Sequence, residues 1–214
     1  MKSSLLDDEE LVAFFTTRDL SLKSGERDDL IEEVENNKKL VCEGLGIGLE
    51  DLVIPQQTHS DNVGVVSRNE KWETGDGRNF SPFHLFTCSP FENTDALITD
   101  QANIALALNF ADCVPLIFYD PVKKVSACAH AGWRGTAAKI AVKTVQKMID
   151  EFGCEPKDII ALIGPAIGKC CFEVKDDVKD KLLESLDVVG VETPTYNSRT
   201  PHPLGVRGNF SDVF

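Results

Sequence analysis

The sequence predicts a single globular domain that combines β-strands with α-helices. Continuous apolar segments in the middle of the chain, such as VPLIFYDP at 114–121, are typical of strands that are buried on both faces. Amphipathic helical patterns lie between and after these segments, and no linker divides the chain. A length of 214 residues, 42% of them hydrophobic, is sufficient for one sizeable core. We therefore expect one domain over 1–214 that ends in an irregular tail at 193–214.

The individual elements follow from local patterns along the chain. Apolar and β-branched runs predict strands at 10–17, at both ends of 51–67, and at 95–100, 103–110, 114–121, 125–130, 158–164 and 170–174. Apolar residues that recur every three or four positions predict helices at 24–46, 136–152 and 176–186. Glycine and proline make 69–93 a long loop. Strands thus dominate the middle of the chain.

The overall charge restricts the classes of partner. The formal net charge is −13, which argues against nucleic acid and anionic membranes because both require a basic protein face. No apolar run is long enough to span a membrane, and the N-terminus lacks a signal-peptide pattern. We expect a cytoplasmic monomer that acts on a small molecule.

The seven cysteines do not form a disulfide pattern. Their number is odd, and no C-x-x-C pair occurs. Most of them are expected to be small buried hydrophobic residues, although any one can serve as a thiolate ligand or nucleophile.

Three polar insertions interrupt the predicted strands, and each contains one good metal ligand. They are QQTHS with His59, ADC with Cys113, and HAGWRG with His130. Two imidazoles and a thiolate suit Zn²⁺ or copper, and three protein ligands are typical of catalytic zinc. The alternatives are a surface residue for His59, core packing for Cys113, and a backbone hydrogen bond for His130. Gly132 and Gly135 are expected to serve the turn before the helix.

Five motifs occur in an order that resembles a known family. They are QTHSDNV, DALITD, ADCVPLIFYDP, AHAGWRGT and IGPAIGKCCFEV, and the resemblance covers roughly residues 12–190. The chain is similar to the YfiH-type laccase-domain family, also called the multicopper polyphenol oxidase or purine nucleoside phosphorylase family, which includes the peptidoglycan editing factor. The resemblance implies an α+β fold with mixed β-sheets layered with helices, related to deamidases of the cytotoxic necrotizing factor type.

The resemblance also implies a site and an activity. It implies that His59, Cys113 and His130 bind zinc together. It implies phosphorolysis of adenosine, inosine and methylthioadenosine, as well as deamination of adenosine. The chain departs from the family after Arg18, where DLSLKSGERDD is shorter and different, and at GNFSDVF, which replaces an FFSYRRD-like strand. These departures leave open a metal-binding protein that has lost catalysis.

Further residues are candidates for the chemistry. Asp112 is either a general base or a carboxylate that orients a ligand histidine. Arg134, Arg18 and Ser60 are candidate donors to phosphate, with a structural ion pair as the alternative for Arg134.

Two other classes of enzyme are weighed against the zinc enzyme. A metal-free hydrolase or amidase acting in peptidoglycan precursor editing would use Cys113 as nucleophile and His130 as base. A polyphenol oxidase with the usual copper centres needs far more imidazole ligands than the four histidines of this chain, so only a single copper would fit.

Overall fold

The computed structural model describes residues 11–16, 22, 28–67, 72–73, 79–80, 91–187 and 208–209. It divides into two compact units, Met1–Leu49 and Glu50–Phe214, and each is described by itself. The first unit contains helix α1 (Asp28–Leu45), which lies within the predicted helix and is followed by Gly46 at φ 71°. Residues 11–16 have no regular secondary structure, so the strand predicted there is not confirmed.

The second unit contains the remaining elements. The strands are β1 (Leu52–Val53), β2 (Val63–Val65), β3 (Trp72–Glu73), β4 (Asn79–Phe80), β5 (Ala96–Thr99), β6 (Ala105–Leu106), β7 (Val114–Asp120), β8 (Val125–Ala131), β9 (Ile160–Ile163) and β10 (Gly208–Asn209). The helices are α2 (Trp133–Ala137), α3 (Ile140–Phe152) and α4 (Asp176–Asp187). Within the described part of the chain, every helix is too short or too polar to cross a membrane.

The main sheet has six strands in the order β10-β9-β7-β8-β5-β2. Strand β2 pairs with β5 in parallel, whereas the other neighbours in this sheet are antiparallel. Two smaller pairs accompany it: β1 with β6 in parallel, and β3 with β4 antiparallel. The predicted α+β class with mixed sheets is therefore confirmed.

Successive side chains of a central strand point to opposite faces of the sheet, so the core is divided between the two faces. Ala96 and Ile98 of β5 pack into the larger cluster, which includes the buried residues of α3, whereas Leu97 between them packs into a second cluster. The larger cluster contains four alanines and valines of β8: Val125, Ala127, Ala129 and Ala131. The second cluster also contains Val53, Val66 and Phe91. The central strands are thus covered on both sides, as their continuous apolar sequences predict.

The helix predicted at 136–152 is in fact two helices. Lys139 adopts a left-handed conformation (φ 62°, ψ 44°) and separates α2 from α3. The two helices make different contacts: Ile140 begins the buried face of α3, whereas Gly135 in α2 approaches the backbone of Ser60. Lysine has no preference for this conformation, so tertiary packing overrides the local helical pattern.

Several predicted strands are shorter than expected or absent. Only Ala105–Leu106 of 103–110 forms a strand, and 170–174 forms a turn in place of a strand. The predicted loop at 69–93 contains the two-residue strands β3 and β4, and its other described part is 91–93. The predicted tail at 193–214 lies outside the described residues except for Gly208–Asn209. The extent of the domain over 1–214 stays a prediction.

We predict that replacing Gly153 by alanine destabilises the protein by about 1 kcal/mol. Gly153 ends α3 at φ 65°, and its N–H donates to the carbonyl of Ile149 at 2.9 Å. A Cβ here would meet only Lys123 Nζ at 3.8 Å, an ordinary contact, so the cost is that of the backbone conformation. Urea unfolding would measure it. Gly153→Asn is the control, since asparagine tolerates this conformation better, and an alanine variant as stable as wild type would contradict the prediction.

Candidate metal centre

The pairing of the strands brings four separate segments to one end of the main sheet. Cys113 directly precedes β7, and His130 lies near the end of the antiparallel neighbour β8. Asp95 directly precedes β5, and its carbonyl accepts a hydrogen bond from the backbone N–H of His130 at 2.7 Å. His59 lies in the loop before β2, which runs parallel to β5. The starts of β2, β5 and β7 therefore meet the end of β8.

The three ligands singled out from the sequence come together at this end. The ligand atoms of His59, Cys113 and His130 all lie within 4.8 Å of one another. The two imidazole rings meet edge to face with centroids 4.9 Å apart. His130 is 4% exposed, Cys113 is half-buried and His59 is exposed, so the group is anchored in the protein and faces solvent on one side. One metal ion can reach all three donors.

A buried carboxylate, Asp95, holds this group in place. It is 0% exposed and accepts five hydrogen bonds. The donors are the backbone N–H groups of Thr58 (3.1 Å), His59 (3.1 Å) and Ser60 (2.7 Å), the Ser60 hydroxyl (2.7 Å) and Nδ1 of His130 (2.8 Å). Burial by itself raises the pKa of Asp95, but the hydrogen bonds outweigh burial and hold the pKa below its ordinary value.

The carboxylate of Asp95 determines which nitrogen of His130 faces the metal site. An ionised carboxylate only accepts hydrogen bonds, so Nδ1 of His130 must carry the proton. Burial lowers the pKa of His130, although Asp95 acts in the opposite direction. The ring is therefore neutral, and Nε2 presents a lone pair. A ligand histidine that donates its other N–H to a carboxylate is the common arrangement at zinc sites.

The environment of Cys113 favours a cation beside it. Burial, and then the negative charges of Asp112 and Asp95, raise the pKa of the Cys113 thiol above its ordinary value. A nucleophilic cysteine requires the opposite shift, because the thiolate is the reactive form. A bound metal cation would offset both negative charges and favour the thiolate.

The backbone of His59 is strained, and the surrounding contacts maintain it. His59 has φ 62°, a conformation uncommon for residues other than glycine. The bonds from Thr58, His59 and Ser60 to Asp95 fix this turn. Strained residues of this kind occur at functional sites, where the rest of the structure determines their conformation.

Gly132 is required for close packing against the ligands. A Cβ at this position would lie 2.9 Å from Cδ2 of His59 and 3.1 Å from Sγ of Cys113. Any residue can adopt its backbone conformation, with φ of −69° and ψ of 168°. The prediction that Gly132 is needed for the geometry of the turn is therefore wrong. At Gly135 too the constraint is space, since a Cβ would lie 3.1 Å from the carbonyl oxygen of Ser60.

A glutamine side chain joins the His59 loop to the segment that leads to Cys113. The Gln57 amide donates to the carbonyl of Asn109 at 2.9 Å and accepts from the N–H of Asn109 at 2.7 Å. These two hydrogen bonds have the donor and acceptor pattern of paired β-strands, and they join two loops that are distant in the sequence. Neither Gln57 nor Asp95 was identified from the sequence. The available signal was a carboxylate, Asp95, placed directly before the mostly apolar run ALIT, where a buried charge needs partners.

The other predicted site residues are placed as follows. The hydroxyl of Ser60 contacts Asp95 and the carbonyl of Asn93, so it supports the ligand loop. Arg134 is exposed, with its guanidinium 4.5 Å from the centre of the Trp133 ring. Their role in phosphate binding stays a prediction, and Arg18 lies outside the described residues.

Asp112 is exposed next to Cys113, and its backbone carbonyl accepts from the N–H of Ile167 at 3.1 Å. The carboxylate that contacts a ligand histidine is Asp95. The role of Asp112 as a general base stays a prediction.

We predict that Asp95→Asn weakens metal binding by about 10- to 100-fold. The amide cannot accept from all five donors, because one of its two polar atoms is itself a donor. Titration of zinc against a competing chelator would measure the affinity. Asp100→Asn, an exposed carboxylate at the opposite end of β5, is the matched control and should retain wild-type affinity. Equal losses in the two variants would show that Asp95 has no special role.

We predict that Gly132→Ala displaces His59 and Cys113 and so reduces metal occupancy severely. The added methyl group would sit closer to both ligands than a real Cβ normally does. Metal content per chain, measured on folded protein, tests this. Gly168→Ala is the control, since its Cβ would meet only Cys170 Sγ at 3.5 Å. Full occupancy in Gly132→Ala would contradict the proposed packing.

Two curated proteins are similar to this chain over most of its length. "Purine nucleoside phosphorylase YlmD" of Bacillus subtilis is 34% identical over 183 residues, 81% of this chain and 63% of that protein. "Adenosine deaminase RL5" of an unknown prokaryotic organism is 36% identical over 151 residues, 71% of this chain and 53% of that protein. The chain thus spans less than two thirds of the length of these relatives.

A solved structure and a family model cover most of the chain. The crystal structure of the Bacillus licheniformis hypothetical protein YfiH has a TM-score of 0.63 and 38% identity, and the match covers 90% of this chain and 68% of that one. The family model described as "Multi-copper polyphenol oxidoreductase laccase" matches residues 13–202. The resemblance found in the sequence is therefore confirmed, and the chain belongs to this laccase-like family, which includes YfiH and YlmD.

Proposed function

We propose that the protein is a zinc-dependent purine nucleoside enzyme that catalyses phosphorolysis of adenosine, inosine and methylthioadenosine, and deamination of adenosine. The observation that carries the proposal is the group of His59, Cys113 and His130, with Asp95 behind His130. Relatives named as a purine nucleoside phosphorylase and as an adenosine deaminase support the choice of substrate class.

Zinc is proposed as the metal because of the donor set. Two neutral imidazoles and one thiolate are borderline and soft ligands, and three protein ligands are the usual number at a catalytic zinc site. When bound, zinc supplies a Lewis acid with a fourth position open to water or substrate. A single copper in the same site is the alternative, and it is the metal that the family's name suggests.

The chain's own residues have separate tasks in the proposed reactions. His130 is kept neutral by burial and is oriented by Asp95, so it holds its place without taking up a proton. In deamination, we expect the exposed carboxylate of Asp112 to accept a proton from the water that attacks C6 of adenine. In phosphorolysis, we expect the exposed guanidinium of Arg134 to bind the phosphate that attacks C1′ of the ribose.

The metal-free hydrolase of peptidoglycan precursor editing is the second candidate. It needs Cys113 as a thiolate, and the raised pKa of this thiol opposes it. The third candidate is a protein that binds metal at the same site without turnover. The three candidates differ in metal content, in turnover and in the dependence of turnover on metal, so one experiment separates them.

We predict that the purified protein contains nearly one zinc per chain and that Cys113→Ala loses both metal and turnover. Metal content would be measured by mass spectrometry. Turnover would be measured with adenosine and phosphate, following adenine, inosine and ammonia separately. Cys170→Ala, an exposed cysteine outside the cluster, is the matched control and should keep zinc and activity. Adenine identifies phosphorolysis, whereas inosine with ammonia identifies deamination.

Each other outcome selects a different candidate. Zinc without turnover would favour the metal-binding protein that has lost catalysis. Turnover that survives a chelator but is abolished by alkylation of Cys113 would favour the metal-free hydrolase. Copper in place of zinc, lost in the same variant, would overturn the metal assignment and leave the site assignment intact.

A further inference from the structure

Two adjacent cysteines lie outside the metal centre and belong to none of the roles assigned above. Cys170 and Cys171 are both free and exposed, and their sulfur atoms are 3.2 Å apart. This distance corresponds to a thiol–thiol hydrogen bond in which both sulfurs point to the same side of the turn. A pair of free thiols in contact at the surface is a chelating group for atoms that prefer sulfur.

Backbone hydrogen bonds form the turn that carries the two cysteines. The N–H groups of Cys171 and Phe172 both donate to the carbonyl of Gly168, at 2.9 and 3.1 Å, and so close a turn. The turn is attached to the main sheet, since the N–H of Ile167 donates to the carbonyl of Asp112 at 3.1 Å. Two cysteines on a turn that is already formed lose less backbone freedom when a chelated ligand binds.

We infer that Cys170 and Cys171 form a dithiol site for trivalent, sulfur-seeking metalloids, with trivalent arsenic as the representative class. A pyramidal trivalent centre bonds two sulfurs at nearly a right angle, and it therefore accepts two sulfurs that already touch. A linear two-coordinate ion such as Cu(I) needs the sulfurs on opposite sides of itself, which this turn does not provide. The site is independent of the proposed nucleoside chemistry.

A disulfide between the same residues is the less favourable product. Adjacent Cα atoms are about 3.8 Å apart across a trans peptide bond, whereas disulfides usually join Cα atoms about 4.4–6.8 Å apart. A bridging atom between the two sulfurs relieves this mismatch, because it adds length to the ring.

The binding reaction is balanced without an oxidant. With an organic arsenic(III) oxide, two arsenic–sulfur bonds form while the arsenic–oxygen double bond and the two S–H bonds break. The oxygen leaves as water with both thiol protons. Arsenic remains trivalent throughout, and both cysteine sulfurs keep their oxidation state.

Phenylarsine oxide is the probe that tests the site on the full chain. Intact-protein mass spectrometry should show one bound phenylarsenic group in the wild type that survives excess 2-mercaptoethanol and is removed by 2,3-dimercaptopropanol. Cys170→Ala and Cys171→Ala should each weaken binding by about 100-fold or more, because the second bond of a chelate forms at high effective concentration. Both positions are exposed, so the variants are expected to fold.

Cys113→Ala is the control, and it should bind the probe like wild type. The inference is overturned if the two single variants keep the resistant adduct, since another pair of thiols would then hold it. It is also overturned if the Cys113 variant loses the adduct, or if a monothiol removes it from the wild type. Zinc content measured in the same samples keeps this result separate from the proposed function, since Cys170→Ala should retain zinc.

Discussion

The carboxylate of Asp95 is the group on which the candidate site depends. It is completely buried, and it is ionised because five donors surround it. A buried charge without hydrogen-bond donors would be costly. The turn at His59 and the ring of His130 supply donors to Asp95, and these hydrogen bonds hold both in place. Two ligands on different segments are therefore oriented by one side chain.

The main sheet makes this arrangement possible. Strand β2 pairs with β5 in parallel, and β5 pairs with β8 and β8 with β7 in antiparallel fashion. This pairing places the starts of β2, β5 and β7 and the end of β8 at the same end of the sheet. Gly132 and Gly135 then allow the chain after β8 to pack against the ligand side chains and the Ser60 backbone. The site combines a rigid framework with loops that are fixed by hydrogen bonds, which suits a preorganised metal centre.

The negative charges near Cys113 also favour a metal cation at this site. Burial, and then the negative charges of Asp112 and Asp95, raise the pKa of the Cys113 thiol, so the cluster without a cation is an unfavourable place for a thiolate. The vicinal pair Cys170–Cys171 contrasts with it, since those thiols are exposed and contact each other. Among the described cysteines, Cys113 and the pair Cys170–Cys171 thus lie in two different settings, and each favours a different kind of ligand.

The sequence by itself determined the elements with strong local patterns and the choice of the three candidate ligands. The apolar runs that form β7 and β8, the helix α4 and the glycine that ends α3 follow from periodicity and from conformational preference. His59, Cys113 and His130 were identified by their chemistry and by the family motifs. Only the tertiary structure decided the break at Lys139, the role of Gly132 and the part played by Asp95. These features depend on strand register and on contacts between distant segments, and neither of these is encoded in the local pattern of residues.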